Sequence, residues 1–129
     1  LKFFAYFENQ DKFVHSVKDF LNEYMANKTI SFRNRDQLEK LFKRTFEVLN
    51  DLLPEGIVRG NRKNITPIVL YEAIAVGVAA LLTTETAIPR QQLQNLLNDP
   101  ELNRLTTGAT NSRNKLYQRI EYVKNQLTV

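Results

Sequence analysis

The segment "TPIVLYEAIAVGVAALL", Thr66 to Leu82, decides the fold of this 129-residue chain. Thr66 and Pro67 predict a helix start, because a threonine hydroxyl caps a first turn and proline fits the first helical position. The residues that follow are apolar on nearly every side, and five of them are alanine or glycine. A helix that is apolar all round is buried, and small side chains let neighbouring helices approach closely. We therefore expect a central helix over residues 67–82.

Amphipathic segments precede this central helix. One or two helical turns are expected near the start of the chain. The apolar positions from residue 11 to residue 25 then recur at helical spacing, with Asp11 as a cap. Residues 27–34 are expected to form a connection. A further amphipathic helix is predicted from Asp36 to about Leu53, ended by a proline and a glycine.

Further helical segments follow the central helix, over residues 89–97, 99–105 and 113–127. Asp99 is expected to cap the second of them, and Thr110 or Asn111 the third. No segment alternates for long enough to predict a strand, and four glycines and four prolines are few for a turn-rich fold. The sequence therefore predicts one all-α domain over residues 1–129, an irregular bundle of about five to six helices around the central apolar helix.

The composition excludes several kinds of site. The chain has no cysteine, so it holds no disulfide or thiolate metal site. Its one histidine, His15, has carboxylates at Asp11 and Asp19 and is expected to be a surface residue. The longest apolar run has 15 residues and contains Glu72, whereas a membrane span needs about 20. We expect a cytoplasmic protein with no metal, cofactor or membrane partner.

Positive charge is concentrated in the second half of the chain. Residues 1–58 contain nine Lys or Arg and nine Asp or Glu, whereas residues 59–129 contain nine and five. The whole net charge of +4 therefore comes from the second half. Such an asymmetry favours an anionic partner, and DNA or RNA is the expected one.

Two junctions between a loop and a helix carry this charge. The first is "GIVRGNRKNITP", Gly56 to Pro67, which has the cations Arg59, Arg62 and Lys63 and no acid. It leads into the start of the central helix, where unpaired backbone N–H groups and the helix dipole favour anions. The alternative is a solvated loop, because lysine and arginine are normally exposed.

The second junction is "TTGATNSRNKLYQR", Thr106 to Arg119. Arg113 and Lys115 fall in the first turn of the last helix, where the dipole disfavours cations unless an anion also binds. Arg119 lies one turn beyond Lys115 on the same face. Tyr117 and Tyr122 can stack on a base beside these cations, or pack at the edge of the bundle. The alternative is an ordinary helix start with surface cations.

Glu72 requires a partner because its carboxylate lies in an apolar helix. Arg119 is the candidate, which makes Glu72 and Arg119 a structural ion pair. A catalytic role for Glu72 would need a second acid or a histidine, and the spacing supplies neither. We assign no catalytic residue.

Three segments together resemble a known bacterial family. They are "FLNEYMANKTIS" (Phe20 to Ser31), the stretch from Leu38 to Leu82, and "TTGATNSRNKLYQRIEYVKNQL" (Thr106 to Leu127). They resemble the C-terminal helical part of a domain-of-unknown-function family with a ParB/sulfiredoxin-like N-terminal domain. That family includes modification-dependent restriction endonucleases and phage-defence proteins. The matching positions are Val58, Arg59, Glu72, Arg119, Ile120 and Val123.

The resemblance implies a non-catalytic accessory domain from the C-terminal part of a longer protein. The family's Asp-Gly-Gln-Arg type motif and its HNH motif are both absent from this chain, which begins at Leu1. The implied partner is the protein's own missing N-terminal domain. Nucleic-acid phosphates are then expected to contact Arg59, Arg62, Lys63, Arg113, Lys115 and Arg119. The alternative is a protein-interaction or dimerisation domain, with "LKFFAYF" (Leu1 to Phe7) packed on the missing domain or on a second copy.

Overall fold

The computed structural model describes residues 1–14, 16–30, 34–58, 67–108 and 112–128. The described residues form seven α-helices and one 3-10 turn, joined by short connections, and none of them lies in a strand. The predicted all-α bundle is confirmed. The elements are α1 (Lys2–Asn9), the 3-10 turn (Gln10–Lys12), α2 (Val17–Ile30), α3 (Arg35–Leu52), α4 (Ile68–Thr83), α5 (Arg90–Leu96), α6 (Pro100–Leu105) and α7 (Arg113–Leu127).

Helix α4 is the centre of the bundle, as its sequence predicts. It packs against α1, α3 and α7, and most of its side chains are buried. The closest approach is at Gly77, where an added Cβ would lie 2.6 Å from Cγ1 of Val123 in α7. Real Cβ atoms essentially never come so close to another atom. The glycine therefore sets the distance between the two helices.

The helix predicted over residues 11–25 begins later than expected. Residues 10–12 form a 3-10 turn, and Phe13 is extended, with φ −70° and ψ 131°. The ring of Phe13 packs edge-on against Tyr6 and Phe20, at centroid distances of 6.0 and 5.3 Å. Phe13 thus belongs to the same apolar cluster as α2 although its backbone is extended. The apolar residues therefore keep their helical spacing in the sequence at a position where the chain is not helical.

The start and the end of α2 also differ from the expectation. The hydroxyl of Ser16 accepts a hydrogen bond from the backbone N–H of Asp19 at 3.2 Å, so Ser16 caps the helix rather than Asp11. The helix continues to Ile30, which makes residues 27–30 helical rather than a connection.

Two other helix starts follow proline signals. Asp99 accepts from the backbone N–H of Leu102 at 3.0 Å, and Pro100 is the first residue of α6, which confirms the predicted cap. At the start of α4, Pro67 is extended, with ψ 117°, and the helix begins at Ile68. Pro67 is therefore the flanking residue rather than the first helical one.

A polar network joins α1 to α2 and to the start of α3. The carboxylate of Glu8 accepts from the Tyr24 hydroxyl at 2.6 Å and from the Asn34 amide at 2.6 Å. It also forms an ion pair with Lys28 at 3.0 Å. Burial alone would raise the pKa of Glu8, but the hydrogen bonds from Tyr24, Asn34 and Lys28 outweigh burial and hold that pKa below its ordinary value.

Within the described helices, no stretch combines the length and the apolar character needed to cross a membrane.

Candidate functional site

The start of α7 is fixed against the segment that follows α1. The backbone N–H of Arg113 donates to the carbonyl oxygen of Val14 at 2.9 Å. The guanidinium Nη1 of Arg113 donates to the carbonyl oxygen of Asp11 at 3.3 Å. The hydroxyl of Ser112 accepts from the backbone N–H of Lys115 at 3.1 Å, so Ser112 caps this helix rather than the predicted Thr110 or Asn111. The second predicted junction is therefore a firmly tethered helix start.

A concave pocket of about 310 Å³ lies beside this helix start. We call it the α7 notch, and its lining residues are Gln10, Asp11, Arg113, Asn114 and Tyr117. Tyr117 is 54% exposed, which is unusual for so large a ring. Gln10 also lines the notch, and its Oε1 is buried and has no hydrogen-bond partner among the described residues. The notch thus offers a cation and an exposed ring, and one of its lining residues has a buried acceptor without a partner.

Arg113 is the main cation of the α7 notch. It is exposed, and within the described ranges no carboxylate forms an ion pair with it. Asp11 contributes an opposing charge on the same rim. Lys115 is partly buried, and its charge is one of the influences that lower the pKa of Glu101, after the hydrogen bond from Arg104. The positive charge of Lys115 is therefore partly balanced by the carboxylate of Glu101.

Arg119 does not lie with these surface cations. Its side chain is only 2% exposed and lies in the core between α7, α1 and α4. Burial lowers the pKa of Arg119, while the fields of Tyr6 and Glu72 raise it. A guanidinium buried in this position cannot reach a phosphate outside the core. Of the three cations predicted on α7, the structure places Arg113 and Lys115 at or near the surface.

Glu72 is buried, with 6% of its surface exposed, as its position in α4 predicts. Its Oε1 lies 3.1 Å from Nζ of Lys2, a contact that joins α4 to α1. Burial, followed by the field of Glu72, raises the pKa of Tyr6 to about 12. Glu72 also acts electrostatically on Arg119, so the predicted partner lies within its field. The sequence did not predict Lys2 as a partner of Glu72, because α1 and α4 are far apart along the chain and no local spacing relates their residues.

An apolar groove of about 500 Å³ lies next to the Lys2–Glu72 pair. Its residues are Leu1, Lys2, Phe3, Phe42, Ile68, Tyr71, Glu72, Ala75 and Val76. Ile68 is 65% exposed, and Leu1 and Phe42 are exposed as well. By contrast, Phe3 is buried and packs on α3 through Phe42 and Phe46. The exposed apolar surface is therefore centred on Ile68 rather than on the phenylalanines of α1.

Several residues singled out by sequence lie outside the described residues: His15, Arg59, Arg62, Lys63, Thr66, Thr110 and Asn111. Within the part of the chain that the structure does describe, no three His, Asp or Glu side chains are grouped so as to hold a metal ion.

Comparison with known proteins returned no match to any family model, to any curated protein or to any solved structure. The functional conclusion therefore depends on the geometry of the α7 notch, the apolar groove and the charge pattern of the sequence.

Proposed function

We propose that this chain is a non-catalytic helical module that contacts the phosphates of a nucleic acid through the start of α7. The observation that carries the proposal is Arg113, an exposed and tethered cation beside the exposed ring of Tyr117. The resemblance to the ParB-like, restriction-type family supports a place in a larger bacterial, cytoplasmic protein. The catalytic residues would then belong to another domain of that protein.

The tether makes Arg113 a better phosphate ligand than an ordinary surface arginine. A guanidinium has five N–H donors, and Nη1 already bonds the Asp11 carbonyl. That bond restricts the side chain before any ligand arrives, which lowers the conformational entropy lost on binding. A phosphate oxygen can accept from the remaining donors in the paired geometry that favours arginine over lysine. Lys115, two residues further along α7, adds a second positive charge near the start of the helix.

The sequence supports a larger cationic surface than the described residues contain. Arg59, Arg62 and Lys63 belong to the same proposal, because they provide much of the positive excess of the second half of the chain. Nucleic-acid affinity of this kind is dominated by phosphate neutralisation and is strongly dependent on salt.

The test is fluorescence anisotropy of a short labelled duplex and a labelled single strand with the protein, over a series of salt concentrations. We expect Arg113→Gln to reduce the slope of log affinity against log salt by about 1, the loss of one phosphate contact. Arg90→Gln is the matched control, since it removes an exposed arginine from α5 with the same change of net charge. Equal effects of the two substitutions, or no binding at low salt, would reject the proposal.

The apolar groove favours a second candidate function, self-association of the module. Exposed aliphatic residues grouped in one concave surface are typical of a protein contact. Here a second copy of the chain is the proposed occupant. In sedimentation velocity over a concentration series, the wild type should form dimers and Ile68→Asp should remain monomeric. Val14→Asp is the control, because Val14 is also 65% exposed but lies outside the groove. A wild type that stays monomeric at every concentration would exclude this candidate.

A further inference from the structure

We infer that the α7 notch holds one unpaired nucleotide, so that the module selects single strands over duplexes. This inference rests on the proposed contact with nucleic acid and specifies the form of the ligand. Three observations carry it: the exposed ring of Tyr117, the unused acceptor of Gln10, and the concave shape of the pocket that both residues line.

Tyr117 and Arg113 are one helical turn apart on α7 and therefore lie on the same face. Non-specific single-strand binding uses this combination, in which a base stacks on an aromatic ring while cations follow the backbone. Stacking on Tyr117 requires a base whose face is free. In a duplex that face is covered by the neighbouring base pairs, so a base cannot stack on the ring of Tyr117.

The acceptor of Gln10 indicates the same ligand. Buried polar atoms in proteins nearly always have a hydrogen-bond partner, so the buried Oε1 of Gln10 is a feature that requires an explanation. An unpaired base presents amino or imino N–H donors on its Watson–Crick edge, and these donors satisfy the acceptor once the Gln10 side chain turns its Oε1 toward the notch. In a duplex the same donors are already hydrogen-bonded to the complementary base.

The size and charge of the α7 notch are suited to one nucleotide. Its volume of about 310 Å³ is at the lower end of the range for ligand pockets, roughly 300–1,000 Å³. Asp11 lines the notch and disfavours a phosphate deep inside it, whereas Arg113 favours one on its own side. The base is therefore placed in the notch between Tyr117 and Gln10, with the phosphate at Arg113. The amide of Asn114 completes the rim.

The experiment compares a labelled single strand with a hairpin duplex of the same number of phosphates, by anisotropy at low salt. We expect the wild type to prefer the single strand. Tyr117→Leu should weaken single-strand binding about 10-fold, since it removes the ring, while Tyr117→Phe should retain the preference because it keeps the ring. Gln10→Leu should also weaken the single strand and leave the duplex unchanged. Because Tyr117 is more than half exposed, its variants should fold, which circular dichroism will verify.

The outcomes separate this inference from the proposed function. Loss of the single-strand preference in Tyr117→Leu, with retention in Tyr117→Phe, supports the nucleotide site. If Tyr117→Leu and Gln10→Leu change nothing while Arg113→Gln weakens both ligands, the nucleotide site is rejected and the phosphate contact stands. If neither ligand binds the wild type, both are rejected.

Discussion

Glu72 shows how one charged residue is accommodated inside an apolar helix. Removing a carboxylate from water is costly, and only opposite charges and hydrogen bonds offset that cost. Glu72 has a direct contact with Lys2 and an electrostatic interaction with Arg119. The two cations differ in environment, because the Lys2 side chain is 41% exposed whereas Arg119 is buried. Water therefore screens the interaction of Glu72 with Lys2, whereas it hardly reaches the interaction of Glu72 with Arg119.

This difference predicts which partner matters more to stability. Double-mutant cycles with Glu72→Gln should give a coupling free energy of about 2 kcal/mol with Arg119→Met, the range for buried neighbours. The cycle with Lys2→Met should give less than about 1 kcal/mol, as half-exposed pairs do. Urea unfolding of the single and double variants provides both values. A larger coupling to Lys2 than to Arg119 would refute this ranking of the two partners.

Glu8 gives the domain a defined dependence on pH. Its pKa is lower in the folded state, so the unfolded chain binds more protons in acid and stability increases with pH. The contribution is complete above the ordinary glutamate pKa of about 4.3 and is lost as the pH falls through the lower folded value. Glu8→Gln should cost about 1–3 kcal/mol at pH 7, through its bonds to Tyr24, Asn34 and Lys28, and less at pH 3.

Urea titrations at both pH values measure the Glu8 effect. Glu39→Gln is the control, since the ion pair of Glu39 with Lys43 is exposed and lies within α3, and the substitution should change stability by less than about 1 kcal/mol. A Glu8→Gln penalty that is the same at pH 3 and pH 7 would show that the network does not depend on the carboxylate charge.

At the scale of elements, the sequence was sufficient where the signal was local. The apolar run of α4 and the Asp99 cap of α6 depend on neighbouring residues, and both were predicted. The start of α2 was not, because Phe13 reaches the core from an extended backbone and imitates a helical position. Hydrophobic spacing reports which side chains are buried, and different backbones can bury the same set.

The contact between α4 and α7 depends on Gly77. Alanine is preferred over glycine in a helix by about 1 kcal/mol. The added methyl group would, however, meet Val123 at 2.6 Å, and overpacking of this kind typically costs 1–3 kcal/mol. We expect the clash to prevail, so that Gly77→Ala lowers the free energy of unfolding by about 1 kcal/mol.

A second substitution isolates the clash at Gly77. Val123→Ala removes the 2.6 Å contact with Cγ1 and leaves only the tighter-than-usual 3.0 Å contact with the retained Cβ, so Gly77→Ala should be less destabilising in that background than in the wild type. Denaturant unfolding of the four proteins of this cycle gives the result. If Gly77→Ala stabilises the chain that retains Val123, the packing account of this glycine is wrong.

At the scale of the whole molecule, the candidate site was only half visible in the sequence. Arg113 and Lys115 were found because cations at a helix start oppose the dipole. The other half of the α7 notch is formed by Gln10 and Asp11. Asp11, which accepts a hydrogen bond from Arg113, is 102 residues away from it along the chain. The Lys2–Glu72 contact is a similar case. Long-range contacts of this kind depend on how the helices pack, which no local spacing encodes.

The central position of α4 also predicts how the molecule opens. Helix α4 packs against α1, α3 and α7, so its amides can exchange with solvent only when most of the bundle comes apart. Helix α2 has exposed residues from Met25 to Asn27 and should open locally at a lower free energy. Native-state hydrogen exchange over a urea series measures both. We expect the amides of Ala73 to Ala79 to match the global free energy of unfolding, and those of Met25 to Asn27 to fall below it. Equal values in α2 and α4 would mean instead that the domain unfolds as a single cooperative unit.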